Sequence, residues 1–235
     1  MSIEVKNLTK TYVKQKALQD INFQTGSNHI VGILGPNGAG KSTLMKILTG
    51  IVPFIDGECI VGGISIKESP LEVKKIVGYL PENNPLYLDM YVKEILAFEG
   101  KIHQLPSINK RIAEVIDLTG LKQEQHKKIK QLSKGYKQRV GLAMAIIHDP
   151  KILILDEPTT GLDPNQIIEI RNLIVQLATE KTVILSSHIM QEVEAICREI
   201  LIINKGILKD HFMLSEKSTR YPGLSLEEIF VKLTK

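Results

Sequence analysis

A chain of 235 residues with 43% hydrophobic content suits one large or two small domains and can bury a sizeable core. The net charge of +4 is too small to imply a nucleic-acid partner, and Cys59 and Cys197, far apart and without a C-x-x-C pair, indicate neither a zinc site nor a disulfide framework. No window approaches about twenty uninterrupted apolar residues, and Met1-Ser2-Ile3-Glu4 opens no signal peptide, so a cytoplasmic chain is expected whose membrane contact comes through a partner.

In chain order, residues 3–23 alternate apolar and polar around Val5, Leu8, Leu18 and Ile21, which predicts antiparallel strands. Residues 29–34 form a short apolar run of the buried-strand kind, and residues 41–48 fit a helix. Between them lies Gly35-Pro36-Asn37-Gly38-Ala39-Gly40-Lys41-Ser42-Thr43, a complete G-x-x-x-x-G-K-[ST] loop. Gly35, Gly38 and Gly40 let the backbone turn N–H groups toward phosphate oxygens, Lys41 adds a compact positive charge, and Ser42 offers Mg²⁺ a hydroxyl. The helix behind the loop places the phosphates at its N-terminus, where free N–H groups favour anions. The chain should therefore handle a nucleoside triphosphate.

Further on, Val61-Gly62-Gly63-Ile64 reads as a hairpin turn, and Ser69-Pro70 as an N-cap followed by proline at N1, opening a helix toward Lys75 before a strand over 76–80. From 89 to 149 the periodicity is helical, broken at Pro106 and Gly120. The lysines between Lys122 and Lys137, interleaved with glutamines and without aromatics, read as a solvated helical face rather than a nucleic-acid surface. Strand patterns return at 151–156 and 182–186, joined by a helix over 164–179 in a βαβ unit, then a hairpin over 199–209 and a helix over 225–233. The first of these strands ends in Asp156-Glu157, two carboxylates at the edge where open α/β sheets hold ligands. Beside a phosphate loop, Asp156 suits Mg²⁺, and Glu157 suits orienting or deprotonating the attacking water.

With these in place the chain resembles the nucleotide-binding subunit of an ATP-binding cassette (ABC) transporter over nearly its whole length. Leu132-Ser133-Lys134-Gly135-Tyr136-Lys137-Gln138 is similar to the family signature LSGGQ, Gly161-Leu162-Asp163-Pro164 to its D-loop, and His188 to its switch histidine. Tyr12 stands where the family keeps an adenine-stacking aromatic, and Glu82 at the Q-loop. The resemblance implies an α/β fold with a P-loop core on a mixed sheet, an antiparallel β subdomain and a helical insertion. One ABC ATPase domain would span 1–235: a core with its β subdomain at 1–85 and 150–210, a helical signature subdomain at 86–149, and a tail at 211–235. It implies ATP and Mg²⁺ as cofactors, with Ser42, Glu82 and Asp156 toward the metal and Lys41, Glu157 and His188 in catalysis. Ser133, Lys134, Gly135, Tyr136 and Asp163 would meet ATP bound by a paired ABC subunit, identical or not. An integral membrane permease would be the further partner, with no direct nucleic acid and a peripheral place on the cytoplasmic face of the membrane.

Two departures narrow the resemblance: Glu82 replaces glutamine, and Lys134 and Tyr136 replace glycine and glutamine in the signature. Together with Leu80-Pro81-Glu82, Pro85-Leu86-Tyr87 and residues 224–230, they look like the branch serving ABC-2 type exporters, and like the bacterial gliding-motility-associated ATP-binding subunit. A soluble ABC ATPase acting on nucleic acid or ribosomes is the alternative. A P-loop kinase would leave the signature, D-loop and switch histidine unexplained.

Overall fold

The structure, a computed structural model, describes residues 1–235. Its N-terminal part is a four-stranded antiparallel sheet, ordered β2-β1-β4-β5, made of β1 (Ile3–Tyr12), β2 (Gln15–Gln24), β4 (Asp56–Val61) and β5 (Ile64–Ser65). Alternation explains it: Ile3, Val5 and Leu8 of β1 and Leu18, Ile21 and Phe23 of β2 point inward, and polar residues between them face out. The expected turn at Gly62-Gly63 joins β4 to β5, with both glycines at positive φ.

A second sheet runs β10-β9-β3-β8-β7-β6 and begins with β3 (Ile30–Leu34), followed by α1 (Lys41–Leu48). After α2 (Pro70–Ile76) come β6 (Val77–Leu80), then α3 (Val92–Ile102), α4 (Ile108–Leu118) and α5 (Lys134–Ile146) before β7 (Ile152–Asp156). α6 (Pro164–Ala178) crosses to β8 (Thr182–Ser186), α7 (Met190–Ile196) to β9 (Glu199–Asn204), and β10 (Ile207–Met213) closes the edge before α8 (Lys217–Arg220) and α9 (Leu226–Thr234). All pairs in this sheet are parallel except β9 with β10, so it is mixed.

The near-continuous apolar runs follow from burial on both faces. Ile152 and Ile154 of β7 join Val31, Ile33, Ile184 and Leu201 against α1 and the antiparallel sheet. Leu153 and Leu155, one residue out of phase, join Val183, Leu185 and Ile200 against α5, α6, α7 and α9. Because β3, β6, β7 and β8 are parallel, the segments that follow them all emerge at one edge.

One local expectation holds in part and one is corrected. Ser69 is the N-cap of α2 with Pro70 at N1, as expected, but its side chain makes no capping hydrogen bond; the Ser69 carbonyl accepting from Val73 N–H at 3.2 Å starts the helix. The lysine-rich stretch after Lys122 is not helical before Lys134: it is turns and one 3₁₀ turn, Ile129–Gln131. Gly120 at φ +66° ends α4, and Leu121, Glu124 and Ile129 are buried at a spacing no helical face supports. Lys122, Lys127 and Lys130 are nonetheless solvated. Helix α7, which residue reading missed, lacks a capping residue, since its N-cap is Ile189.

Candidate active site

The loop between β3 and α1 makes the floor of a cleft of about 970 Å³ at the common strand edge. Gly40 is the N-cap of α1 at φ +109°, where a side chain would be strained and a Cβ would lie 2.7 Å from the Ala17 carbonyl oxygen. The N–H groups of Gly38, Gly40, Lys41, Ser42 and Thr43 find no acceptor within the protein, so a row of donors faces the cleft at a helix start. Lys41 is buried, and its Nζ donates to the Gly35 carbonyl at 2.7 Å and to Pro36 at 3.4 Å. Those two residues do not line the cleft; their carbonyls hold the ammonium in the loop. Such donors and one fixed cation fit the phosphates of a nucleotide.

The carboxylates stand opposite. Asp156 ends β7 in register with Ser186 of β8, whose hydroxyl donates to Asp156 Oδ1 at 2.7 Å and accepts from Glu157 N–H at 2.9 Å. Glu157 takes a left-handed conformation, φ +51°, that a non-glycine residue rarely adopts. The turn sets its carboxylate on the cleft wall, where Oε2 accepts from the Thr160 hydroxyl at 3.2 Å and from His188 Nδ1 at 2.7 Å. A carboxylate only accepts, so the His188 proton on this side sits on Nδ1. Glu82, two residues past β6, completes the polar rim, and Tyr12 lies across the cleft, 42% exposed, with Lys10 Nζ 4.9 Å from its ring centroid.

Ser42, Asp156 and Glu82 offer a hydroxyl and two carboxylates, the hard oxygen set Mg²⁺ accepts while keeping waters of its own. The donor set thus fits the metal that accompanies a nucleotide.

Ser133, Lys134, Gly135, Tyr136 and Asp163 are not in this cleft. They gather elsewhere, around the starts of α5 and α6: the Ser133 hydroxyl accepts from Tyr136 N–H at 3.4 Å, and Asp163 Oδ1 from Gln166 N–H at 3.0 Å, while Lys134 packs on Gly161 and Gly135 on Gln166. Gln138 Nε2 donates to the Pro158 carbonyl at 2.9 Å, which ties the signature helix to the loop after Glu157.

Residue reading missed Lys16 and Ala17 of β2, Thr160, and the Lys205-Gly206 turn, all of which line the cleft. That turn looked like an ordinary hairpin tip; only the folded chain shows Gly206 N–H donating to Ala39 carbonyl at 2.9 Å.

A glycine loop on a helix N-terminus, facing an Asp-Glu strand end across the parallel strands of a mixed sheet, defines a P-loop nucleotide hydrolase. Within that class the chain belongs to the ABC transporter family, whose sequence profile matches residues 18–160. It is similar to the linearmycin resistance ATP-binding protein LnrL of Bacillus subtilis, 38% identical over 207 residues that make up 87% of this chain and 67% of that protein. A solved ATP-binding subunit of an ABC transporter superposes with TM-score 0.90 at 28% identity, covering 100% of both chains. The ATP-binding cassette MJ0796, solved as a dimer in a post-hydrolysis state with ADP and Pi, gives TM-score 0.83 at 26% identity, covering 90% of this chain and 98% of that one. The fold is the ABC ATPase fold, and the protein is an ATP-binding subunit of an ABC transporter that hydrolyses ATP in coupling to transport.

Proposed function

We propose that the chain pairs with a second cassette around two Mg-ATP and drives a separate membrane permease of the exporter branch. The observation that carries this reading is the separation of the signature from the cleft. Ser133 to Tyr136 and Asp163 cannot serve the nucleotide of their own chain, but at the start of α5 they can close over one held by another. A helix end contributes about 0.3–1 kcal/mol to an anion, so closure also draws on Lys41 and charge-assisted hydrogen bonds.

In the closed pair, Glu157 takes a proton from the water that attacks the γ-phosphate, and His188 Nδ1–H keeps its carboxylate aimed. Lys41, fixed by the Gly35 carbonyl, meets the terminal phosphates, and Tyr12 stacks on adenine. Ser42, Asp156 and Glu82 would hold Mg²⁺, which when bound neutralises developing phosphate charge. Loss of the γ-phosphate removes the bridge between the halves.

No helix of the chain is long and apolar enough to cross a membrane. In this reading a spanning partner carries the cargo and this subunit sits peripherally on the cytoplasmic face. The partner's cleft lies beside Glu82, where residues 86–149, a helical signature unit, meet a core of 1–85 and 150–210 with 211–235 as its tail. Glu82, Lys134 and Tyr136 favour the exporter branch, as does the resistance function named for LnrL. The test is sedimentation of Glu157→Gln with Mg-ATP: a two-subunit species is expected, and a variant that binds ATP yet stays monomeric would overturn the paired arrangement.

A further inference from the structure

Lys10 and Tyr12 stand two residues apart on β1, where side chains leave the same face of a strand. The Lys10 ammonium lies 4.9 Å from the centroid of the Tyr12 ring and donates a hydrogen bond to the Pro53 carbonyl at 2.7 Å. Tyr12 lines the nucleotide cleft, whereas neither Lys10 nor Pro53 does. The ammonium therefore covers the ring face turned away from the cleft, and the opposite face is left to a ligand.

Each part of this arrangement has a physical consequence. Tyr12 is exposed, so a base that stacks on it has to immobilise the ring. A cation against one face holds the ring in place, through its attraction to the negative charge of the π cloud. Drawing that charge toward the ammonium also leaves the other face less repulsive to the electron-rich face of a purine. A free lysine would serve badly, because its flexible stem keeps many rotamers in water. The Pro53 carbonyl removes that freedom. Pro53 follows α1, whose first turn carries the phosphate loop, so one ammonium ties the base end of the cleft to the segment behind its phosphate end.

We propose that Lys10 is a positioning residue for the nucleobase: its ammonium fixes and polarises the Tyr12 ring from behind, and the ring then stacks on the purine of the bound nucleotide. This rests on the reading of Tyr12 as the adenine platform and adds the group that makes an exposed ring into one. Lys10 stands outside the cleft and reaches no phosphate, so its effect should follow the base of the ligand and not its charge.

Affinities of the full chain for ATP and for inorganic tripolyphosphate are measured by competition against labelled ATP without Mg²⁺, so that nothing is hydrolysed. Lys10→Met keeps most of the stem and removes the charge; it should weaken ATP about two- to fivefold and leave tripolyphosphate at the wild-type value, which also reports an intact phosphate loop. Lys10→Arg keeps a cation over the ring and a donor for the Pro53 carbonyl, and should restore ATP affinity. In a Tyr12→Ala chain, Lys10→Met should have no further effect. Equal losses for ATP and tripolyphosphate would overturn the proposal by reducing Lys10 to one more positive charge near the cleft. The same loss with and without the ring would overturn it in favour of the Pro53 tether alone, and wild-type ATP affinity in Lys10→Met would overturn it outright. Wild-type ATP affinity in Tyr12→Ala would instead remove the stacking reading on which it stands.

Discussion

Glu157 and Glu82 are carboxylates on the same cleft in different surroundings, and the proposed division of labour between them rests on that difference. Glu157 is buried and held by His188 and Thr160, so its lone pairs are aimed. Glu82 is exposed, as suits a residue that touches a metal's hydration sphere. Removing a general base costs about 10²–10⁴ in rate, so Glu157→Gln should lose nearly all ATPase activity while still binding ATP. Glu82→Gln keeps a neutral oxygen and sheds one negative charge beside the γ-phosphate; it should retain substantial activity with a changed Mg²⁺ requirement. Steady-state rates titrated with Mg²⁺ separate the two, and equal near-complete loss at saturating Mg²⁺ would make Glu82 a candidate for direct catalysis. The placement of Asp156 and Glu157 on the cleft was legible in the sequence because the pair ends an apolar run behind a complete phosphate loop. The orienting hydroxyls of Ser186 and Thr160 were not, since their function depends on the register of β7 with β8 and on one left-handed residue.

Elements were legible in proportion to the strength of their local signals. Strands β7 and β8 are buried on both faces and bounded by turns, whereas α7 has no capping side chain, and the 3₁₀ turn at Ile129–Gln131, closed by Gln131 Oε1 accepting from Lys128 N–H at 2.9 Å, is too short for a sustained face. The β1–β2 hairpin shows a place where the chain departs from its local preference. Val13 at its tip is 99% exposed and sits at φ +53°, which a β-branched side chain resists. Val13→Asn should release about 1 kcal/mol of strain and raise the thermal midpoint by about 2–4 °C, measurable by calorimetry. A lowered midpoint would mean that the valine makes contacts outweighing the strain. At the start of β9, Glu199 joins three segments: it accepts from His29 Nε2 at 2.6 Å, His211 Nε2 at 2.5 Å and Gly26 N–H at 3.1 Å. Burial pushes its pKa up, but the hydrogen bonds from His211, His29 and Gly26 win, and the carboxyl is held below its ordinary range. The folded state then binds fewer protons than the unfolded one near that range. Its stabilisation is full above the unfolded pKa of about 4.3 and lost as pH falls through the lower folded value. Urea titrations should show wild type losing stability across that window, and Glu199→Gln, weaker at pH 7, changing less there; parallel curves would deny the carboxylate this role.

At the scale of the whole molecule, what residue reading could not supply is distance. The signature, D-loop and phosphate loop are all visible as motifs, yet only the fold shows that the first two gather at the starts of α5 and α6 while the third faces Glu157 across the cleft. If each working site combines the phosphate loop of one chain with the signature of another, two differently broken chains can repair each other. Lys41→Ala removes the cation of the phosphate loop but leaves Ser133 intact; Ser133→Arg blocks the signature but leaves Lys41 intact. In a two-fold pair of one with the other, both defects fall in one site, and the second site is wild type in every residue. Each variant alone should be nearly inactive. Mixed in equal amounts and allowed to exchange, half the pairs are mixed and each carries one good site, so about a quarter of the wild-type sites return. Measured ATPase activity should rise accordingly on mixing, saturating as exchange completes. A site completed within one chain predicts no recovery at any ratio, and that result would sink the composite arrangement even if the protein were found to dimerise.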